Sequence, residues 1–304
     1  MVHGAVLAAL FGIGSASALF LDVGLEPVPS TDSGPELSRF DMTDAIEIVI
    51  VASAFGMDAI RAQGHLRYAQ ASRRAGAAGF EVRRELFADE AEAAPERLRA
   101  LGGAIAELGM WSVFSTPASL YAADGRLDAV ALQVALDEAS ALGARFVKLQ
   151  LGGFVRDAAG AAIAQQLQGS NVRLLVENGQ LAQGGSLEQF VGLFDALARE
   201  QHAHVLGMTF DMGNWAWRGI APLAAAAELA PHVEYIHCKT TAGEGARRFP
   251  AAPAADDARF IAVLERLPRN VPRGIEFPFD RGRAEADAAH YVKWLAGVGR
   301  AAGI

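Results

Sequence analysis

Three carboxylates and one imidazole stand where short apolar runs end. Glu177 closes LLVE, Asp211 closes MTFD, His237 lies in YIHCK with Lys239 two residues beyond it, and Glu276 follows GI in GIEF. All four side-chain types bind hard or borderline divalent ions. Taken singly, each acid is equally a helix N-cap or a solvated loop residue. Delivered by successive strands, the four would meet in one small volume, where three carboxylates repel unless they are protonated or neutralised by a cation. One divalent metal ion answers that repulsion. This donor set suits manganese, magnesium or cobalt better than a structural zinc site, which prefers thiolates. Manganese and magnesium are favoured, and zinc remains compatible.

Convergence requires elements that end together. From Ile46 onward, β-branched or apolar runs alternate with Ala/Leu/Glu-rich stretches of helical period, repeating every 30 residues or so, as βα units do. Eight runs read as strands: residues 46–53, 79–84, 111–115, 144–151, 172–178, 206–211, 233–239 and 273–277. Between them Ser186 is placed to cap the helix LEQFVGLFDALARE, Leu127, Val130, Val134 and Ala135 form one apolar helical face, and Gly79 and Gly143 sit where helices stop. An eightfold alternation closes economically as a single-domain (β/α)8 barrel, an α/β TIM barrel, although a doubly wound open sheet uses the same alphabet. Neither GxGxxG after the first strand nor GxxxxGK[ST] anywhere is present, which removes the usual nucleotide-binding reasons for the open sheet. In a barrel the chemistry lies at the carboxyl ends of the strands, where these four residues fall.

Strand alternation sets the facing. If Glu177 points inward, so do Leu175 and Arg173, while Leu174 and Val176 face the helices. The same parity turns His237 and Lys239 inward and Cys238 outward, as a small buried hydrophobe.

The chain has 304 residues, 52% apolar and 20% charged, a globular balance that excludes disorder and a many-spanning membrane protein. A net charge of -8 disfavours nucleic acid, which needs clustered Lys and Arg. Cys238 is the only cysteine, so no internal disulfide forms and a reducing, cytoplasmic setting is expected. Against that, Ala5 to Leu21 is uncharged and a Pro/Ser/Asp/Gly run follows from Pro27 to Ser38. It has an Ala16-Ser17-Ala18 box but no basic residue ahead of it, so a start placed upstream of Met42 is preferred over an export signal. Residues 1–41 are therefore read as an extension and residues 42–304 as the barrel.

In their order along the chain, AGAAGFEVRREL, VKLQLGG, LLVENG, TFDMGN, YIHCK and IEFPF resemble the xylose-isomerase-like barrels, from about Ile46 to Phe279. That superfamily includes sugar-phosphate isomerases and epimerases, ketose 3-epimerases, hydroxypyruvate isomerases, inosose dehydratases and endonuclease IV nucleases. The resemblance implies one metal held by Glu177, Asp211, His237 and Glu276, with Glu177 and Glu276 also moving protons. It implies a metal-dependent isomerase or epimerase of a small sugar, sugar acid or sugar phosphate, working by proton abstraction beside a polarised carbonyl through an enediolate. The rival is a metal-dependent dehydratase of a cyclic keto-polyol such as inosose or dehydroshikimate, and a non-catalytic sugar-binding barrel stands behind both. Where many relatives have a histidine three residues after the sixth-strand aspartate, this chain has Asn214, a poor ligand able to hydrogen-bond a hydroxyl.

Six residues are candidates for substrate contact: Glu81, Lys148, Asn214, Trp215, Lys239 and Arg247. Glu81 either hydrogen-bonds a substrate hydroxyl or a ligand, or pairs with Arg83 or Arg84. Lys148, costly if buried unpaired, either faces the barrel mouth or pairs with an acid such as Glu177. Trp215 and Trp217 offer a pocket wall or helix packing, and Arg247 with Arg248 a grip on a phosphate or carboxylate. His65, His202, His204, His232 and His290, in helices or loops, are expected to be structural. The expected partner is a small carbohydrate-like molecule, without nucleic acid or stable membrane association, and a homo-oligomer is compatible with all of this.

Overall fold

The structure, a computed structural model, describes residues 46–298. The expectations for residues 1–41 lie outside the described residues.

Eight parallel strands close into a barrel in the order β1 (Ile48–Val51), β10 (Arg273–Ile275), β7 (Val233–Cys238), β6 (Gly207–Asp211), β5 (Arg173–Glu177), β4 (Phe146–Gly152), β3 (Trp111–Tyr121) and β2 (Gly79–Arg83). The remaining two, β8 (Thr240–Ala242) and β9 (Phe249–Ala251), form an antiparallel hairpin after β7 that the sequence had presented only as a loop. Every expected strand is present as a (β/α)8 barrel, which settles the choice against an open sheet. The largest boundary difference is β3, which runs to Tyr121 with a break in register between Ser115 and Ser119. Pro117 lies at that break and has no N–H to offer a ladder.

The alternation holds. Val49, Val113, Phe146, Leu175 and Tyr235 pack together inside the barrel, with Trp111 against them, and form an apolar plug. Leu174, Val176, Met208, Phe210 and Cys238 belong to the larger core between sheet and helices. Above the plug the interior turns polar, with Glu81, Lys148, Asp211 and His237 all buried. Burial of four ionisable groups at one level is affordable only through mutual pairing, so this layer is a built site rather than a packing accident.

Helix ends follow local chemistry. Ser186 accepts a hydrogen bond from the Gln189 N–H at 3.2 Å, as a capping serine should, and Gly143 ends its helix in the left-handed region at φ 69°. Two local expectations fail. Gly79 opens β2 instead of ending a helix. In the helix Ala129–Leu142 the buried face is Leu132, Ala135, Leu136, Ala139 and Leu142, while Val130 and Val134 are exposed. That helix is apolar nearly all round, so periodicity alone pointed at the wrong stripe. Among the described residues no helix is long and apolar enough to cross a membrane.

Candidate metal centre

Each of the four strand-end residues is aimed by its own strand. Glu177 is the last residue of β5, Asp211 the last of β6, His237 the penultimate residue of β7, and Glu276 directly follows β10. One potential ligand atom from each lies within 4.8 Å of the others. His237 Nδ1 is 2.8 Å from Glu177 Oε1, 2.9 Å from Glu276 Oε2 and 3.4 Å from Asp211 Oδ2.

The two readings of Asp211 are both realised, on different oxygens. Oδ1 accepts from the Asn214 N–H at 2.7 Å and caps the helix Met212–Trp217. Oδ2 turns to the centre. The backbone beneath is clamped by Asn178, whose amide accepts from the Asp211 N–H at 2.8 Å and donates to the Asp211 carbonyl at 2.9 Å.

Glu177 Oε1 is buried without an aligned hydrogen bond, 2.8 Å from His237 Nδ1, whereas Asp211 Oδ2 also meets the Lys239 ammonium at 2.7 Å. Three carboxylates converging on one imidazole nitrogen are costly unless cations join them. Three carboxylate oxygens and one imidazole nitrogen are donors that manganese or magnesium accepts. The residues present therefore fit a divalent ion.

Cations ring these acids. The Lys148 Nζ lies 3.0 Å from Glu177 Oε2 and 2.9 Å from Glu81 Oε1, and the Gln150 amide donates to the same Glu177 Oε2 at 3.0 Å. Lys239 Nζ lies 2.7 Å from Asp211 Oδ2 and 2.6 Å from Glu276 Oε2. Arg83 donates from Nη1 to Glu276 Oε1 at 2.6 Å and from Nε to Glu85 at 2.8 Å. Burial by itself would raise the Glu177 and Glu276 carboxyls, but Lys148 and His237 at the first, and Lys239 and His237 at the second, hold both below the ordinary range. Asp211 goes the other way, because its complete burial outweighs Lys239. Burial and Lys148 push His237 down, and the surrounding carboxylates of Glu276, Glu81 and Glu177 overcome them and raise it.

The family profile of the xylose isomerase-like TIM barrels matches residues 69–297. The chain belongs to that family. Among solved structures, this family member resembles a D-psicose 3-epimerase with D-tagatose from Clostridium cellulolyticum H10, at 10% identity and a TM-score of 0.61 over 84% of this chain and 100% of that one. It resembles a D-allulose 3-epimerase from Methylomonas sp. in complex with D-allulose, at 13% identity and 0.58 over 82% and 97%. An L-ribulose 3-epimerase matches at 19% identity and 0.59 over 84% and 94%. At such identities the likeness establishes the shared fold. No curated protein matches the sequence.

Of the six residues expected at a substrate, this xylose isomerase-like chain brings Lys239 to the centre and places five elsewhere. Lys148 is completely buried beneath the acids and pairs with Glu177 and Glu81, so it cannot meet a substrate. Glu81 is completely buried too, and it pairs with Lys148 and His237 rather than Arg83 or Arg84. The Asn214 side chain ties the segment after β5 to the helix Met212–Trp217, donating to the Asn178 carbonyl at 2.8 Å and accepting from Gln180 at 3.1 Å. Trp215 has no exposed surface and packs against Phe190 and Phe210 in the helix layer, so it lines no pocket. Arg247 is exposed beside the hairpin. Its neighbour Arg248 is the anchored one, donating to the Trp217 carbonyl at 2.8 Å with its guanidinium over that ring.

Arg83 and Gln150 were missed as site residues. The signal was available: each lies two residues beyond an inward-facing polar residue, Glu81 and Lys148, so strand parity carries both to the mouth.

Proposed function

We propose that this chain is a divalent-metal-dependent isomerase or epimerase of a small sugar, sugar acid or sugar phosphate. One observation carries the reading: four ligand-type atoms, three of them on carboxylates, within 4.8 Å of one another at the carboxyl ends of β5, β6, β7 and β10. Glu177, Asp211, His237 and Glu276 would hold the ion, manganese or magnesium by donor type. When bound, it would supply electrostatic stabilisation of negative charge developing on a substrate oxygen.

The remaining work belongs to the chain's own groups. Glu177 and Glu276, each with an oxygen close to His237 Nδ1 at 2.8 and 2.9 Å, are the two carboxylates able to remove and return a proton. They are not equivalent. Glu177 Oε2 is pinned from below by buried Lys148 and by Gln150, whereas the partners of Glu276, Arg83 and Lys239, sit at the rim. Glu276 is the more adjustable of the pair. Lys239 and Arg83 are the cations that a substrate carboxylate, phosphate or oxyanion would meet on entry. The names of the epimerases that share the fold support a carbohydrate-like substrate. The single cysteine, Cys238, is buried and free, which supports a cytoplasmic setting.

The test is metal analysis of purified protein after reconstitution, followed by a screen of ketoses, hydroxypyruvate and keto-acids for solvent-deuterium uptake. About one ion per chain is expected. A folded chain that takes up no stoichiometric ion removes the reading.

A further inference from the structure

Beneath the four converging residues lies a fifth carboxylate that reaches neither the mouth nor a substrate. Glu81, in the middle of β2, has no exposed surface. Its Oε2 lies 2.9 Å from His237 Nε2 and accepts the Tyr235 hydroxyl at 3.0 Å, and its Oε1 lies 2.9 Å from Lys148 Nζ. A carboxylate can only accept, so all three neighbours must present hydrogens to it.

That requirement has a consequence on the far side of the imidazole. A neutral ring carries one N–H, and the Glu81 carboxylate, 2.9 Å from Nε2 and nearer to it than the Lys148 ammonium at 3.4 Å, draws the proton there. Once a divalent ion takes the place of the proton that Glu177 and Glu276 otherwise attract, Nδ1 would present its lone pair among Glu177, Asp211 and Glu276. Lys148 couples the arrangement to a second ligand, because the same ammonium holds Glu81 Oε1 and the outer oxygen of Glu177. The backbone has been cleared for it as well. A Cβ on Gly274 would stand 2.3 Å from the Tyr235 hydroxyl and 3.0 Å from His237 Cδ2.

We propose that Glu81 is the positioning residue of the metal centre, holding His237 with Nε2 protonated and Nδ1 directed at a divalent ion. The inference rests on the metal reading above. Its bland competitor is that Glu81 merely neutralises buried Lys148.

The two are separated by Mn2+ titration calorimetry on wild type, Glu81→Gln, Lys148→Met and the double variant Glu81→Leu/Lys148→Met, with thermal unfolding of the chelator-treated proteins alongside. The double variant removes both buried charges together and is expected to fold. Relative to Lys148→Met it should bind Mn2+ about 10- to 100-fold more weakly, the usual loss when the partner of a ligating histidine is removed. Glu81→Gln, which keeps an acceptor oxygen, should lose less. If the double variant binds Mn2+ as tightly as Lys148→Met, Glu81 is only a counter-charge and the proposal is overturned. Wild type that binds no Mn2+ overturns both the proposal and the metal reading. Should the variants not fold, nitrogen-15 spectra of histidine-labelled wild type with Mg2+ decide, the His237 signals being assigned by their loss in His237→Asn. A proton on Nε2 is expected, and a proton on Nδ1 overturns the proposal.

Discussion

The Lys239 ammonium lies 2.7 Å from Asp211 Oδ2, the same oxygen that faces His237 Nδ1 across the centre. Lys239 reaches it by crossing the start of the helix Met212–Trp217, where Gly213 leaves room: a Cβ there would stand 2.6 Å from Lys239 Cγ. Lysine and divalent ion thus address the same carboxylate oxygens with the same sign of charge.

Lys239→Met should therefore move two quantities in opposite directions. Without the ammonium, Asp211 and Glu276 have a greater need for a cation, and Mn2+ should bind about tenfold more tightly, roughly 1.4 kcal/mol. The chelator-treated variant should be less stable than wild type by roughly 3 kcal/mol, because two nearly buried carboxylates lose their partner. Metal titration and urea unfolding read the two effects. Weaker binding together with lower stability would mean that Lys239 is scaffold and not a competitor of the ion.

Proton transfer and metal holding are separable at the acids. Asp211→Asn keeps the helix cap through its remaining oxygen and loses the charged Oδ2, so activity should fall mainly through metal affinity and recover partly in excess manganese. Glu276→Gln keeps an oxygen ligand but no basic carboxylate, and turnover should fall about 100-fold or more with no rescue by metal. Glu177→Gln should behave likewise, with Lys148 left short of one counter-charge. Deuterium exchange measured at saturating metal distinguishes the classes, and near-normal exchange in either glutamine variant would strike that glutamate from the proton path.

Gly274→Ala tests the packing under His237. The added methyl would meet the Tyr235 ring end at 2.3 to 2.8 Å, and Tyr235 is locked in the apolar plug with Phe146 and Leu175. Overpacking of this kind costs about 1–3 kcal/mol. Urea unfolding should show that loss, and Mn2+ affinity should fall with it because His237 Cδ2 is the next atom in line at 3.0 Å.

What could be read from sequence was what depends on period and direction. Glu177, Asp211, His237 and Glu276 were legible because each ends an apolar run and the ends of parallel strands share one face. Parity then placed Leu175 and Cys238 on their proper sides. Glu81 and Lys148 were visible as inward polar residues, but their mutual pairing depends on the barrel bringing β2 across from β4, a relation the chain does not encode locally. Trp215 could not be assigned to pocket wall or helix packing because a helix of one or two turns has too few residues to show a face. The hairpin β8–β9 escaped notice because two three-residue strands carry almost no periodic signal.

The last expectation concerns pH. His65 is buried against Phe87, and its Nε2 accepts the Arg83 backbone N–H at 3.3 Å, a bond that only an unprotonated nitrogen can take. Burial lowers its pKa from 6.5 to about 4. The folded value lies below the unfolded one, so the stabilisation is complete above about pH 6.5 and is lost as pH falls toward about 4, where the unfolded chain takes up a proton that the fold refuses. Over 2.5 units, the difference between 6.5 and 4, the full loss is about 3 kcal/mol, of which about 2 kcal/mol falls between about pH 7 and pH 5. Urea unfolding of wild type and His65→Gln at those two pH values isolates it, since other groups titrate alike in both proteins. His237 in particular works in the opposite sense, its raised pKa favouring the fold at lower pH in chelator-treated protein, and it cancels in the comparison. The stability gap between the two proteins should shrink by about 2 kcal/mol from about pH 7 to pH 5. A gap that stays constant would mean that His65 is protonated in the fold, and that Arg83, whose side chain grips Glu276, is positioned by something other than a neutral imidazole.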